Sequence, residues 1–146
     1  MMKIIIIFLL LSTSVCAIEP QKMIVVVNDE QKESLSGVKS VSSYFNRINS
    51  EFVIYSIDDV NNFEDKISEG LSSDKEKAKQ QVKDKYESMG KEKMSQLIVN
   101  AYKAKMITLQ YRLKKYPAII FDGTHVVYGE FNLNTALNKY IDLKEE

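Results

Sequence analysis

Few residues in this chain have the types and spacing for chemistry. The one histidine, His125, stands three positions after Asp122, beside an Asp-Gly turn. As a pair they could act as acid and base, because an imidazole titrates near neutrality and a carboxylate can orient it. No nucleophile accompanies them. A turn aspartate accepting backbone hydrogen bonds, with an exposed histidine near a loop tip, is the simpler expectation. Asp58, Asp59, Glu64 and Asp65 could gather round a cation. Helix capping and a solvated first turn explain them more simply. A single histidine rules out a multi-histidine metal site. A single cysteine, Cys16, rules out an internal disulfide, a CxxC redox pair and a cysteine-rich zinc site. The expectation is a protein with no catalytic residues, no metal and no cofactor.

The whole chain has 146 residues, with 20 basic and 20 acidic side chains and no net charge. That length suits one domain with one core. A neutral balance argues against a nucleic-acid partner, whose binders carry a basic excess. The first residues set the compartment. Lys3 is followed by an apolar run, IIIIFLLL, over residues 4–11, and then by small and polar residues. This is the order of a secretory signal peptide, and Val15 and Ala17 fit its cleavage site. The run is far short of the ~20 residues that cross a bilayer. An uncleaved anchor and a lipid-modified Cys16 are the alternatives. Cleavage after Ala17 removes residues 1–17 and leaves 18–146 as a single cysteine-free domain, exported to the periplasm and not stably inserted in the membrane.

Positioning falls to the elements that follow. Residues 23–27 (MIVVV) form a continuous apolar run, as in a strand buried on both faces. Residues 28–36 are polar and read as a loop. Val38, Val41, Phe45 and Ile48 recur at helical spacing, and residues 52–57 (FVIYSI) read as a second strand. Asp58 or Asp59 can cap a helix whose buried stripe is Val60, Phe63 and Ile67, with Gly70 as its stop. Ser73 to Glu76 has the form of a capping box. Ala78, Val82, Tyr86 and Met89 make a thin apolar stripe up to a break at Gly90. Met94, Leu97, Ala101, Ala104 and Tyr111 continue it along a second long helix, with Lys114 and Lys115 suited to its C-terminal end. Tyr116 precedes Pro117 and is steered out of helical angles. Residues 118–122 and 125–128 are strands around Asp122-Gly123, a strong hairpin signal. Leu133, Leu137, Tyr140 and Ile141 mark a closing helix. The order β-α-β-α-α-α-β-β-α implies a mixed sheet with helices on both faces. It is the thioredoxin-like order, enlarged by a helical insertion over about residues 72–115.

Two resemblances support that fold. The segment Tyr116-Pro117-Ala118-Ile119-Ile120-Phe121-Asp122-Gly123-Thr124-His125-Val126-Val127-Tyr128-Gly129 resembles the second half of thioredoxin-like proteins. There a cis-proline opens a strand, a glycine turn follows, and a helix closes the domain. The resemblance implies a cis bond at Tyr116-Pro117. The same block, with Lys66 to Asp74 and Gln96 to Tyr111 before it, is similar to a family of small exported proteins of integrating conjugative elements. Their genes sit in type IV secretion (conjugative transfer) clusters, and their molecular role is not established. The match runs over roughly residues 50–141, and residues 28–50 fall outside it. It implies a protein partner in a conjugative transfer apparatus.

Two surfaces are the candidates for that partner. Tyr116, Pro117, Tyr128 and Phe131 belong either to the core or to the groove that thioredoxin-like folds offer to extended peptides. Residues 74–115 carry 12 basic and 5 acidic groups, whereas residues 18–73 carry 5 and 10. Lys103, Lys105, Arg112, Lys114 and Lys115 lie in a stretch with no acid, which makes a basic arm for an acidic partner or anionic lipid, or merely a solvated helical face. Redox chemistry is excluded, since the expected CxxC position reads Asn28-Asp29-Glu30-Gln31. The expected function is that of a non-catalytic periplasmic accessory of conjugative transfer, with a periplasmic chaperone or peptide binder as the alternative.

Overall fold

The computed structural model describes residues 19–145. The expected signal peptide, residues 1–17, lies outside them. The element order is β1 (Lys22–Val27), α1 (Asp29–Glu33), α2 (Val38–Arg47), β2 (Glu51–Ser56), α3 (Asp59–Ser68), α4 (Lys75–Met89), α5 (Lys91–Gln110), β3 (Ala118–Phe121), β4 (His125–Tyr128) and α6 (Leu133–Glu145). The strands form one sheet in the order β2-β1-β3-β4. β1 runs parallel to β2 and antiparallel to β3, and β3 is antiparallel to β4. This is the mixed α/β, thioredoxin-like arrangement, and the Tyr116-Pro117 bond is cis.

The apolar run of β1 explains its central place. Met23, Val25 and Val27 point to one face, where they pack with Val41 and Phe45 of α2 and with Leu133, Leu137 and Tyr140 of α6. Ile24 and Val26 point to the other, against Ala104 and Ile107 of α5. A strand covered on both faces must be apolar at every position, so no polar alternation is available to it. All five of these β1 side chains are buried.

The hairpin turn follows from its residues. Asp122 and Gly123 both take positive φ, 49° and 68°, as a turn between tightly twisted strands requires. The Thr124 amide closes it on the Phe121 carbonyl at 3.0 Å. The Asp122 carboxylate then ties three elements together. One oxygen accepts the Gln21 and Lys22 amides at 2.8 Å each, and the other accepts the buried Tyr140 hydroxyl at 2.6 Å. This bears out the turn aspartate read from the sequence.

Four local expectations are corrected. Residues 28–36 are not all loop, because Asp29–Glu33 is a helical turn with a capping box between Asn28 and Gln31. The cap of α4 is Asp74, which accepts the Lys77 amide at 2.9 Å, and not Ser73. A charged acceptor makes the stronger cap bond. Neither Asp58 nor Asp59 caps α3 with its side chain. Finally, α5 stops at Gln110, so Lys114 and Lys115 lie beyond it. The stop is a Schellman turn with Arg112 at positive φ, 51°. The Arg112 amide meets the Leu109 carbonyl and the Leu113 amide meets the Thr108 carbonyl at 2.9 Å. Leu113 is buried in the same cluster as Ala104 and Ile107, which fixes where the chain must turn.

The helical insertion is the α4–α5 hairpin. The C-terminal half of α5 packs on the sheet through Ala104 and Ile107, and Ala101 before them is buried too. Residues 95–100 are all exposed, and α4 has no buried residue. No helix among the described residues is long and apolar enough to cross a membrane.

Candidate functional site

The parallel strands β1 and β2 end side by side at Val27 and Ser56. In open α/β sheets, ligands sit beyond such carboxyl ends. Here that place holds Asn28, Asp29, Gln31, Ser56, Asp58, Asp59 and Asn62. It is also the position of the CxxC motif in thioredoxin-like redox proteins.

The polar groups there satisfy one another. Ser56 is fully buried. Its hydroxyl donates to Asp29 Oδ1 and accepts the Asp58 amide at 3.2 Å. Asn62 Nδ2 donates to Asp29 Oδ2 at 2.9 Å. The Asp29 amide donates to Asp58 Oδ2 at 2.9 Å, and Asp58 has helical backbone angles rather than the extended ones of a side-chain cap. The Ser56 amide points to Asp59 Oδ2 at 3.4 Å. The hydrogen bonds from Ser56, and then from Asn62, hold the Asp29 carboxyl below its ordinary range. A carboxylate so stabilised is a weak base at neutral pH, so it is poorly matched to activate the Ser56 hydroxyl. Among the described residues no three His, Cys, Asp or Glu side chains converge to hold a metal ion.

Gln31 makes a second set of bonds, between the Asn28 cap and the cis-proline strand. Its amide donates to Asn28 Oδ1 at 2.7 Å, and its Oε1 accepts the Asn28 amide at 3.2 Å. With Oε1 so committed, Nε2 faces the other way and donates to the Tyr116 carbonyl at 2.9 Å. The carbonyl just before Pro117 is thus taken by a side chain of the same molecule.

The four groove residues divide. Pro117 is buried, and its carbonyl accepts the Gly129 amide at 2.9 Å. Tyr116 is half-buried, with its hydroxyl 2.9 Å from Thr108 Oγ1 on α5. Phe131 is half-buried, and its carbonyl accepts the Ser36 amide at 2.9 Å. Only Tyr128, on the edge strand β4, is exposed.

The basic residues do not form one row. Lys103 is half-buried and lines a cleft of about 190 Å³ with Lys22, Glu51, Tyr55 and Tyr111. Lys105 lies on another side of α5, where its ammonium is 6.0 Å from the Tyr102 ring centroid. Tyr102 in turn donates to Glu64 Oε1 at 2.8 Å, tying α5 to α3. Arg112, Lys114 and Lys115 are exposed in the loop after α5.

His125 and Asp122 are neighbours without a hydrogen bond to each other. His125 Nδ1 lies 2.9 Å from Thr124 Oγ1, and its half-buried ring stands edge-on to Tyr140 with centroids 5.4 Å apart. Sequence reasoning missed Gln31 and Asn62. Gln31 had a legible signal, since an Asn three residues before a Gln is a capping-box spacing.

A thioredoxin-like sheet whose CxxC position holds a closed hydrogen-bond network defines the class of this molecule. Residues 37–146 match the model of a family described as a protein of unknown function, DUF1525, and the chain belongs to that family. None of the curated proteins and no solved structure matches it. The family match takes in the cis-proline strand, the hairpin and α6, and leaves β1 and α1 outside.

Proposed function

We propose that this chain is an exported, non-catalytic accessory of the type IV secretion apparatus of an integrating conjugative element, working by protein-protein contact in the periplasm. The observation that carries the reading is the hydrogen bonding of Asn28, Asp29, Gln31 and Ser56. Where a redox relative needs an exposed thiolate, this chain has sulfur-free residues in two hydrogen-bonded sets, Asn28 with Gln31, which reaches the Tyr116 carbonyl, and Asp29 with Ser56. Such a site braces a scaffold. The resemblance of the Tyr116 to Gly129 block supplies the conjugative context. The exposed Arg112, Lys114 and Lys115 in the loop after α5, with Lys105 exposed on α5 itself, supply cationic contact points.

The test is a crosslinking pull-down with the mature chain, in cells carrying or lacking the neighbouring transfer genes. Capture of transfer-apparatus proteins, lost in a Lys105→Glu, Lys114→Glu, Lys115→Glu variant that melts normally, is the expected result. Lys103 is left out of the variant because a glutamate there would face Glu51. Capture of diverse unfolded envelope proteins in both strains would replace this reading with that of a peptide binder. A peptide pairing beside Pro117 would first have to displace Gln31 from the Tyr116 carbonyl.

A further inference from the structure

A cleft of about 420 Å³ opens between α3, α4 and α5, away from the network at the strand ends. Phe63, Ile67, Met89 and Leu97 give it an apolar lining. Lys66, Lys85 and Lys93 are the charged residues that line it, with no acid among them. Asp65 and Glu69 face the shallow depression next to it, on the far side of Lys66.

Lys85 is the fixed point. Its ammonium donates to the Ile67 carbonyl at 2.9 Å and the Glu69 carbonyl at 2.7 Å, at the end of α3. An ammonium has three donors, so one remains. Among the described residues Lys85 makes no ion pair. The result is a half-buried cation, held by two backbone carbonyls, beside an apolar lining. The apolar row continues outward along α4 through Tyr86 and Val82, each 37% exposed, on the same helical face as Lys85 and Met89. The volume lies within the ~300–1,000 Å³ range of small-molecule sites.

From this arrangement we infer that the α3–α4–α5 cleft binds a single-chain anionic amphiphile, with its headgroup on Lys85 and Lys93 and its alkyl chain over Phe63, Ile67, Met89 and Leu97. A carboxylate or phosphate completes the third donor of Lys85 and offsets lysines that have no acid opposite them. The alkyl chain covers side chains that the protein itself leaves partly in water. This inference is independent of the accessory role, which uses Lys105 and the loop after α5, none of them lining this cleft.

The experiment titrates the mature chain with octanoate, decanoate and dodecanoate below their micelle concentrations, followed by backbone amide NMR. Dodecanoate should shift Phe63, Ile67, Met89 and Leu97, and each added methylene should tighten binding by up to about fourfold. Dodecyltrimethylammonium should bind at least tenfold more weakly, and inorganic phosphate should leave the cleft unshifted. Leu97→Glu should abolish binding, and Lys93→Gln should weaken it severalfold at an unchanged melting temperature. Lys93 makes none of the cap bonds of Lys85, so its loss tests the charge without disturbing α3. Affinity independent of chain length, equal binding of the cationic amphiphile, or shifts confined to another surface would overturn the inference. Binding to phosphatidylglycerol vesicles without binding to monomeric dodecanoate would also overturn it, in favour of a membrane surface.

Discussion

Replacing Gln31 with glutamate changes one donor into an acceptor at the point where α1 meets the cis-proline strand. The acceptor oxygen that receives the Asn28 amide is kept, so the capping box survives in form. The second oxygen now faces the Tyr116 carbonyl, from which Nε2 was 2.9 Å away. A neutral hydrogen bond of about 1 kcal/mol is lost, and a partly buried carbonyl is left without its donor at a further cost of about 1 kcal/mol. The total at pH 7 is about 2 kcal/mol. For a domain of this size that is a fall in melting temperature of roughly 8 °C. Gln31→Met removes the same bond and also the acceptor of the Asn28 amide, without adding charge, so at pH 7 it should cost at least as much. The two variants separate by pH. A carboxyl facing a carbonyl oxygen is favoured in its protonated form, which can donate. The folded pKa of the carboxyl introduced by Gln31→Glu therefore lies above its unfolded value of about 4.3. A raised pKa means stability that is present below the unfolded value and lost as pH rises through the folded one. The Gln31→Glu protein should therefore approach the parent in acid and fall away above about pH 5, while the Gln31→Met protein keeps a constant deficit relative to the parent. Thermal melts of the three proteins from pH 4 to 8 check this. Equal and pH-independent losses in the two variants would refute the bond from Gln31 to Tyr116.

Three further outcomes follow from named contacts. Gly37→Ala should cost about 2 kcal/mol in denaturant titration. Gly37 has a φ of 78°, and an added Cβ would come within 2.5 Å of the Asn134 side-chain nitrogen. Asp29→Asn should flatten the loss of stability below about pH 4, since a depressed carboxyl stabilises above its unfolded pKa and that contribution fades as pH falls through the folded value. Glu130 is also depressed, first by the Asn132 amide and then by Lys139, so Asp29→Asn should leave part of the acid slope in place. Tyr140→Phe should remove the late step from an absorbance titration of the tyrosines. Burial, and then the bond to Asp122, pushes Tyr140 up to about 12. The parent should lose the stability held by that raised group between about pH 10, its unfolded value, and pH 12, and the variant should not.

How far the sequence reaches depends on whether a feature announces itself locally. β1 is legible because five consecutive apolar residues leave a doubly covered strand as the simplest solution. The hairpin is legible because Asp-Gly satisfies the positive φ at both turn positions. The turn role of Asp122 is legible too, although its bond to Tyr140 is not. α1 has no apolar period to read, because Asp29–Glu33 buries no side chain, and only the Asn28–Gln31 capping spacing announces it. The cap of α4 is displaced by one residue because Ser73 and Asp74 both stand at capping distance from a first turn. Asp58 and Asp59 read as caps because a helix start attracts acids, yet the Asp29 and Ser56 amides compete for them across 29 and 3 residues of sequence.

The brace at the strand ends is the least legible of all. Gln31 and Tyr116 are 85 residues apart, and no spacing rule joins them. Only the fold does, by setting β1 beside β3 so that the turn after one strand meets the residue that opens the other. The four side chains Asn28, Asp29, Gln31 and Ser56 are each ordinary in sequence. The Ser56 hydroxyl and the Gln31 side-chain nitrogen already have acceptors within the molecule, and the carbonyl beside Pro117 has a donor. Exposed cations lie elsewhere, in the loop after α5 and on α4 and α5. The α4 stripe is visible in the sequence as Ala78, Val82, Tyr86 and Met89, but a stripe predicts only that something covers it. In this chain none of the four is fully buried: Ala78 and Met89 are partly covered, and Val82 and Tyr86 are exposed.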